Sequence, residues 1–250
     1  MCYSALVEKD LEKITRELGF TNILETLAFL EENKKYPENN RIYPKWMAPV
    51  IHQDKDKTSI NWMQYSAFVP DYIPEKDAKK LTTFNVRKDS LTKPFWSSCF
   101  KKNHGVLLLN GFSEWVPVKN LIDNKVCSLM EVQKLFSNQA YERKQRILKA
   151  NKPYKPTATE LKHPLQRQIV IDFYSDKPFF VPVIFNQKGN DFGFAIVTED
   201  PTPDILTLGH DRKPVFLDRN QISDWMNIDL KNIDDFFRPL DIRLKVKLAA

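Results

Sequence analysis

Glycine is scarce in this chain, with 6 residues in 250 against 16 prolines, so its turns must be built mostly from proline, asparagine and aspartate. Cysteine is scarce too. Cys2, Cys99 and Cys127 are too few and too scattered for a disulfide framework, and the absence of a CxxC pair gives no zinc signature. The histidines (His52, His104, His163, His210) show no metal-ligand spacing, so neither a metal nor a cofactor is expected. No apolar run approaches the ~20 residues that span a bilayer, and the N-terminus has neither the basic segment nor the apolar core of a secretory signal. A soluble cytoplasmic protein without a membrane partner is expected. What is present is a hydrophobic fraction of 42% and an aromatic fraction of 12%, enough for one substantial core. The net charge of +6 and pI of about 9.0 favour polyanionic partners, nucleic acid first and an anionic membrane surface second.

Local patterns then divide the chain. Leu6, Val7, Leu11, Ile14 and Leu18 recur at near-helical spacing and predict a short helix over 5–18; Thr21 caps a second over 22–34. From "RIYPKWMAPVI" onward the texture turns to short extended runs: "SINWMQYSAFVP", "TTFNVR" and "GVLLLNGFSEWVPV". Ser128 is placed to cap a long helix over 129–149, which the prolines of "KANKPYKPT" end. "RQIVIDFYS", "PFFVPVIFN", "FGFAIVTED" and "KPVFLD" read as further strands, and "QISDWMNID" as a closing helix. Strands joined by short turns argue for an α+β fold on bent, largely antiparallel sheet and not for a doubly wound one. The stretch 141–156 holds Arg143, Lys144, Arg146, Lys149, Lys152 and Lys155, which suits either a nucleic-acid contact or a solvated helix face.

Four places in the chain bear chemistry. Once Met1 is removed, Cys2 is a 1,2-aminothiol: its α-amine titrates near ~7.7–8.0 and its thiol near ~8.5, so both are partly nucleophilic near neutrality. Asn85 and Arg87 alternate with Phe84 and Val86 and share one face of a strand, an amide beside a guanidinium that suits a phosphate or a carboxylate. Glu114 lies among Phe112, Trp115 and Val116, surroundings that would desolvate its carboxyl and raise its pKa toward general acid–base use. His210 follows a glycine and precedes Asp211 and Arg212, where it would face an anionic substrate as a donor.

The order of these motifs (Met-Cys, Asn-x-Arg, Gly-Phe-x-Glu-Trp, His-Asp-Arg-x-Pro) resembles the SOS response-associated peptidase family, the abasic-site-shielding proteins. The match runs from residue 2 to about residue 226 and takes in "FGFAIVTED" and "ISDWM". The resemblance implies one domain over 1–250, with bent sheets forming a pseudo-barrel around a basic DNA channel and an inserted helix at about 128–156. It implies a monomer that binds single-stranded DNA containing abasic sites. Cys2 would attack the ring-opened aldehyde and close a thiazolidine, which requires a free α-amine and hence position 2. Asn85, Arg87 and Arg212 would hold the abasic nucleotide and its phosphates, Glu114 would shuttle protons, and His210 would hydrogen-bond the sugar oxygen. Lyase and autopeptidase activities are implied beside the crosslink. The alternatives are a thiol peptidase using Cys2 with Glu114 and His210, and a non-catalytic basic DNA-binding module. Because Cys2 follows Met1 directly, an aminopeptidase is expected to expose it without self-cleavage. The chain departs from the family in reading Met-Cys-Tyr-Ser where members commonly read Met-Cys-Gly-Arg. It also offers Phe68 and Tyr72 where many members have adjacent tryptophans.

Overall fold

In a computed structural model, residues 4–8, 40–54, 57–227, 233–237, 240 and 242–249 are described. Among them ten strands make one sheet: β1 Ser4–Val7, β2 Arg41–Ile42, β3 Met47–Asp54, β4 Lys57–Tyr65, β5 Asn85–Arg87, β6 His104–Pro117, β7 Gln168–Lys188, β8 Asp191–Glu199, β9 Lys213–Pro214 and β10 Lys245–Leu248. Helices α1 Glu75–Ala78, α2 Pro94–Phe100, α3 Val118–Asp123, α4 Leu129–Lys149, α5 Pro203–Thr207, α6 Ile222–Met226 and α7 Ile233–Phe236 connect and cover it.

The sheet closes on itself. Following hydrogen bonds, β7 pairs β8, β8 pairs β4, β4 pairs β3, β3 pairs β6, and β6 returns to β7. This ring is not a regular barrel. The pairs β4–β8 and β5–β8 run parallel, and the others run antiparallel. The expected α+β class with bent, mostly antiparallel sheet is therefore the fold observed.

Alternation along the strands builds two apolar layers. Leu107 and Leu109 of β6, Val181 and Val183 of β7, and Phe194 and Ile196 of β8 enter one. Val106, Leu108, Ile184, Ala195 and Val197 enter the other, where Trp225 of α6 is wholly buried and donates its indole N–H to the Gly105 carbonyl at 2.8 Å. Both faces of the ring are thus covered, which is why these strands read as nearly continuous apolar runs.

Three expectations need correction. Ser4–Val7 is a strand between β2 and β6, so the helix expected from residue 5 does not begin there; residues 9–39 lie outside the described residues. The two runs "RQIVIDFYS" and "PFFVPVIFN" form one long strand, β7, which stays extended through the polar Ser175–Lys177 segment. "KPVFLD" supplies only the two-residue β9. Helix α4 runs Leu129–Lys149 as expected, with Ser128 and Glu131 closing a reciprocal capping box. No helix among the described residues is long and apolar enough to cross a membrane.

Candidate functional site

Glu114 is placed by β6, a strand paired on both edges. β1 runs along one edge, with Ser4 opposite Ser113, and β7 runs along the other, with Asp172 opposite Ser113 and Ile171 opposite Glu114. Pairing with both neighbours shifts register in the step from Leu109 to Gly111. A Cβ on Gly111 would stand 2.4 Å from the Phe173 carbonyl oxygen, so the close approach of β6 and β7 requires glycine. The Glu114 side chain is 2% exposed and shares its face of β6 with Phe112 and Val116, both buried. Trp115 points to the opposite face and is 44% exposed, so it does not desolvate the carboxyl as expected from the sequence.

A buried polar row lies behind Glu114. Arg41 of β2 donates from Nη1 to Ser113 Oγ and, at 3.3 Å, to Ser4 Oγ; from Nη2 it donates to Asp172 Oδ2 at 2.9 Å. Ser113 Oγ donates to Asp172 Oδ1 at 2.7 Å. The row ties β1 to β6 and β7 through a desolvated ion pair, and removing Arg41 would leave the Asp172 carboxylate buried without that cation.

His210 reaches Glu114 from a separate part of the chain. The loop after α5 turns at Gly209, whose φ of +89° is favourable only for glycine. A Cβ on Gly209 would also meet Asn120 Nδ2 at 2.4 Å and Pro117 Cδ at 3.2 Å. The loop is thus seated where β6 ends and α3 begins. It brings His210 Nε2 to 2.8 Å from Glu114 Oε1, both side chains being buried. An acid and a base in contact, screened from bulk water, can pass a proton between a reacting group and each other.

Asn85 is buried at the start of β5, and Tyr65 donates its hydroxyl to Asn85 Oδ1 at 3.0 Å. Tyr65 is itself packed against Phe194, which fixes the orientation of the amide. Arg87, two residues on, is about one-third exposed and already engaged: Nε donates to both oxygens of Asp89 at 3.1 and 3.0 Å, and Nη2 to Asp200 at 3.1 Å. The Asp89 carboxylate holds the guanidinium pKa above its usual value, and the same bond holds Asp89 below its own. Arg212 stands just before β9. Because Arg87 pairs Thr198 and Thr198 pairs Pro214, β5 and β9 flank the same end of β8. Arg87 and Arg212 are therefore gathered at one end of that strand, together with Lys88 and Lys213, which share Glu199.

The structure thus brings Glu114 and His210 into contact and draws Arg87 and Arg212 to a common edge. Cys2 lies outside the described residues. Sequence reasoning missed Arg41, Ser113, Asp172 and Tyr65. One available signal was Asp172 inside the apolar run "IVIDF", since a carboxylate in a buried strand calls for a cation.

A family model described as SOS response associated peptidase (SRAP) matches residues 1–246, twenty residues beyond the last recognisable motif. No curated protein matches the chain. Among solved structures, a protein from Bacteroides thetaiotaomicron is similar over 100% of this chain and 92% of its own, with a TM-score of 0.65 at 14% identity. A protein from Bordetella bronchiseptica is similar over the whole of both chains, with a TM-score of 0.64 at 13% identity. A phage-related protein from the same organism covers 90% of this chain and 88% of its own, with a TM-score of 0.55 at 12% identity. At these identities the likeness is one of fold.

Proposed function

The chain belongs to the SOS response-associated peptidase family, and from that premise we propose that it captures abasic sites in single-stranded DNA covalently through Cys2. The α-amine of Cys2 adds to the aldehyde carbon of the ring-opened sugar and the carbinolamine loses water to give an imine. The thiol then adds to the imine carbon, its proton passes to nitrogen, and a five-membered thiazolidine closes. The net reaction is aminothiol plus aldehyde giving thiazolidine plus water, so no oxidant or cofactor is required.

The contact between Glu114 and His210 carries this reading. A buried acid–base pair is what the two proton-dependent steps need: protonation of the departing hydroxyl and transfer of the thiol proton. The pair stands beside β1, whose Ser4 is opposite Ser113. In this reading Glu114 moves the protons and His210 hydrogen-bonds the sugar oxygen. Asn85, oriented by Tyr65, holds the abasic nucleotide, and Arg87 and Arg212 take the flanking phosphates. The protein acts as a monomer on DNA in the cytoplasm.

Intact mass spectrometry with and without an abasic single-stranded oligonucleotide tests the proposal. The expected product is the sum of protein lacking Met1 and oligonucleotide, less one water. Peptide turnover without such a product would favour a thiol peptidase using the same residues. Salt-sensitive binding with no mass change would favour a non-catalytic DNA-binding module.

A further inference from the structure

The basic excess of this chain has a single address. Residues 128–167 contain nine of the 38 basic side chains and only three of the 32 acidic ones, a formal charge of +6 that equals the charge of the whole chain. The segment is α4 and the stretch of chain that returns from it to β7. Only Val132 and Phe136 of α4 are buried, so the helix leaves the body after its second turn. At ~1.5 Å per residue its 21 residues extend about 32 Å.

The return segment is bound to the helix. Arg143 pairs with Glu160 at 2.8 Å and donates to the Lys155 carbonyl at 3.3 Å, and its guanidinium lies over the Tyr154 ring at 5.3 Å. Glu160 also accepts from the Thr157 backbone N–H at 2.6 Å. This brace uses the arm's one acid on the return segment. Among the described residues Lys144, Arg146, Lys149, Lys152 and Lys155 enter no ion pair, and all are exposed. Tyr141, 64% exposed, interrupts the cations on the outward face, with Lys134 and Lys144 seven residues before and three after it. At the root of the arm, the Arg167 guanidinium covers the Phe136 ring at 3.3 Å, beside a cleft that Trp115 also borders. Trp115 follows Glu114 in β6 and faces away from it. The arm is therefore rooted directly behind the Glu114 site.

We propose that this arm is a second nucleic-acid surface, which binds the phosphodiester backbone beyond the nucleotide held at the Glu114 site; the inference rests on that site's reading as a DNA site. A braced, unpaired row of cations with an exposed aromatic among them suits phosphates and an unstacked base. An interfacial membrane helix would instead present a broad apolar face, whereas α4 buries Val132 and Phe136 against the body and exposes Met130, Tyr141 and Leu148 singly, with cations between them.

The test uses the full chain with Lys144→Gln, Arg146→Gln, Lys149→Gln and Lys152→Gln combined, all at exposed positions. Binding to undamaged oligonucleotides is measured against salt, with lengths of about four and about twenty-five nucleotides bracketing the ~4–16 nucleotides of a single contact groove. On the long strand, with about three phosphates no longer neutralised, the salt slope should fall by about 2 and binding should weaken about 10-fold or more near ~100 mM salt. The short strand should bind as before. Weakening on long single strands or on duplexes of the same length supports the proposal and tells which form of backbone the arm meets. Tyr141→Ala, which leaves every charge in place, should weaken long single strands several-fold and duplexes little. Unchanged affinity and slope on all long substrates would overturn the proposal. So would DNA binding that is unchanged while binding to phosphatidylserine vesicles disappears. If the arm variants no longer bind long strands but the wild type forms no adduct with abasic DNA, the covalent function fails and the arm stands.

Discussion

His210 Nε2 stands 2.8 Å from Glu114 Oε1, although one belongs to a loop after α5 and the other to the C-terminal part of β6. The fold brings them together from distant parts of the chain. Gly209 allows the loop to turn and to press against Pro117 and Asn120, and that docking sets the distance.

The two residues are expected to differ in weight. Glu114→Gln keeps the shape and removes the proton shuttle, so adduct formation and reversal should slow together by ~10²-fold or more. His210→Ala should slow formation less, as expected of a hydrogen-bond donor. Single-turnover kinetics over pH 5–9 on abasic single strands measure both, and unchanged rates in both variants would remove the pair from the mechanism.

Arg41 and Asp172 form a buried ion pair, with side chains 7% and 3% exposed. Arg41→Met should destabilise the fold by about 3–5 kcal/mol, because it strands the carboxylate in the interior. Adding Asp172→Leu should recover most of that stability. Urea denaturation of the single and double variants decides the point. Since the pair also ties Ser4 to β6, the folded single variant should form adduct more slowly while binding undamaged DNA as tightly as wild type.

Arg87 is held by Asp89 and Asp200, so a phosphate must compete with them. Asp200→Asn should free one side of the guanidinium and tighten single-strand binding a few-fold, whereas Arg87→Ala should weaken it. Each phosphate left without its cation lowers the salt slope by about 0.7. Anisotropy titrations between about 50 and 200 mM salt test this. Equal affinity in both variants would exclude Arg87 from the DNA surface.

His104 gives the fold a pH dependence. It is packed between Phe100 and Trp225, and burial, only partly offset by the Phe100 and Met226 carbonyls, pushes its pKa down to about 4. The unfolded chain protonates this residue near ~6.5, so between that value and about 4 the unfolded state binds the extra proton. Stability contributed here is complete above ~6.5 and falls by about 1.4 kcal/mol per pH unit below it. His104→Gln should flatten that part of the stability curve, as read from urea midpoints between about pH 4 and 7.

The sequence made some of this legible and hid the rest for physical reasons. The capping residues Ser128 and Glu131 and the apolar pair Val132 and Phe136 are local signals, and α4 follows from them. Leu6 and Val7 carry helical spacing, yet pairing with β6 and β2 draws them into a strand, because tertiary partners outweigh propensity in so short a run. Glu114 stood out as a carboxyl among aromatics, but only the fold shows that Trp115 faces the other way. Arg41 gave no sign of its burial: its partners lie far along the chain, and the register of β1, β6 and β7 alone brings them together.

The aminothiol mechanism is tested most directly at the N-terminus. A short, uncleavable extension ahead of Cys2 leaves the thiol, Glu114 and His210 in the protein but turns the α-amine into an amide, which cannot form the imine. A thiol peptidase would be little affected, since its nucleophile is the side chain alone. Intact mass spectrometry first verifies that the extension persists and then reads the product with abasic single-stranded DNA. The account predicts no adduct, with binding to undamaged strands retained. A full yield of adduct from protein that still carries the extension would contradict it.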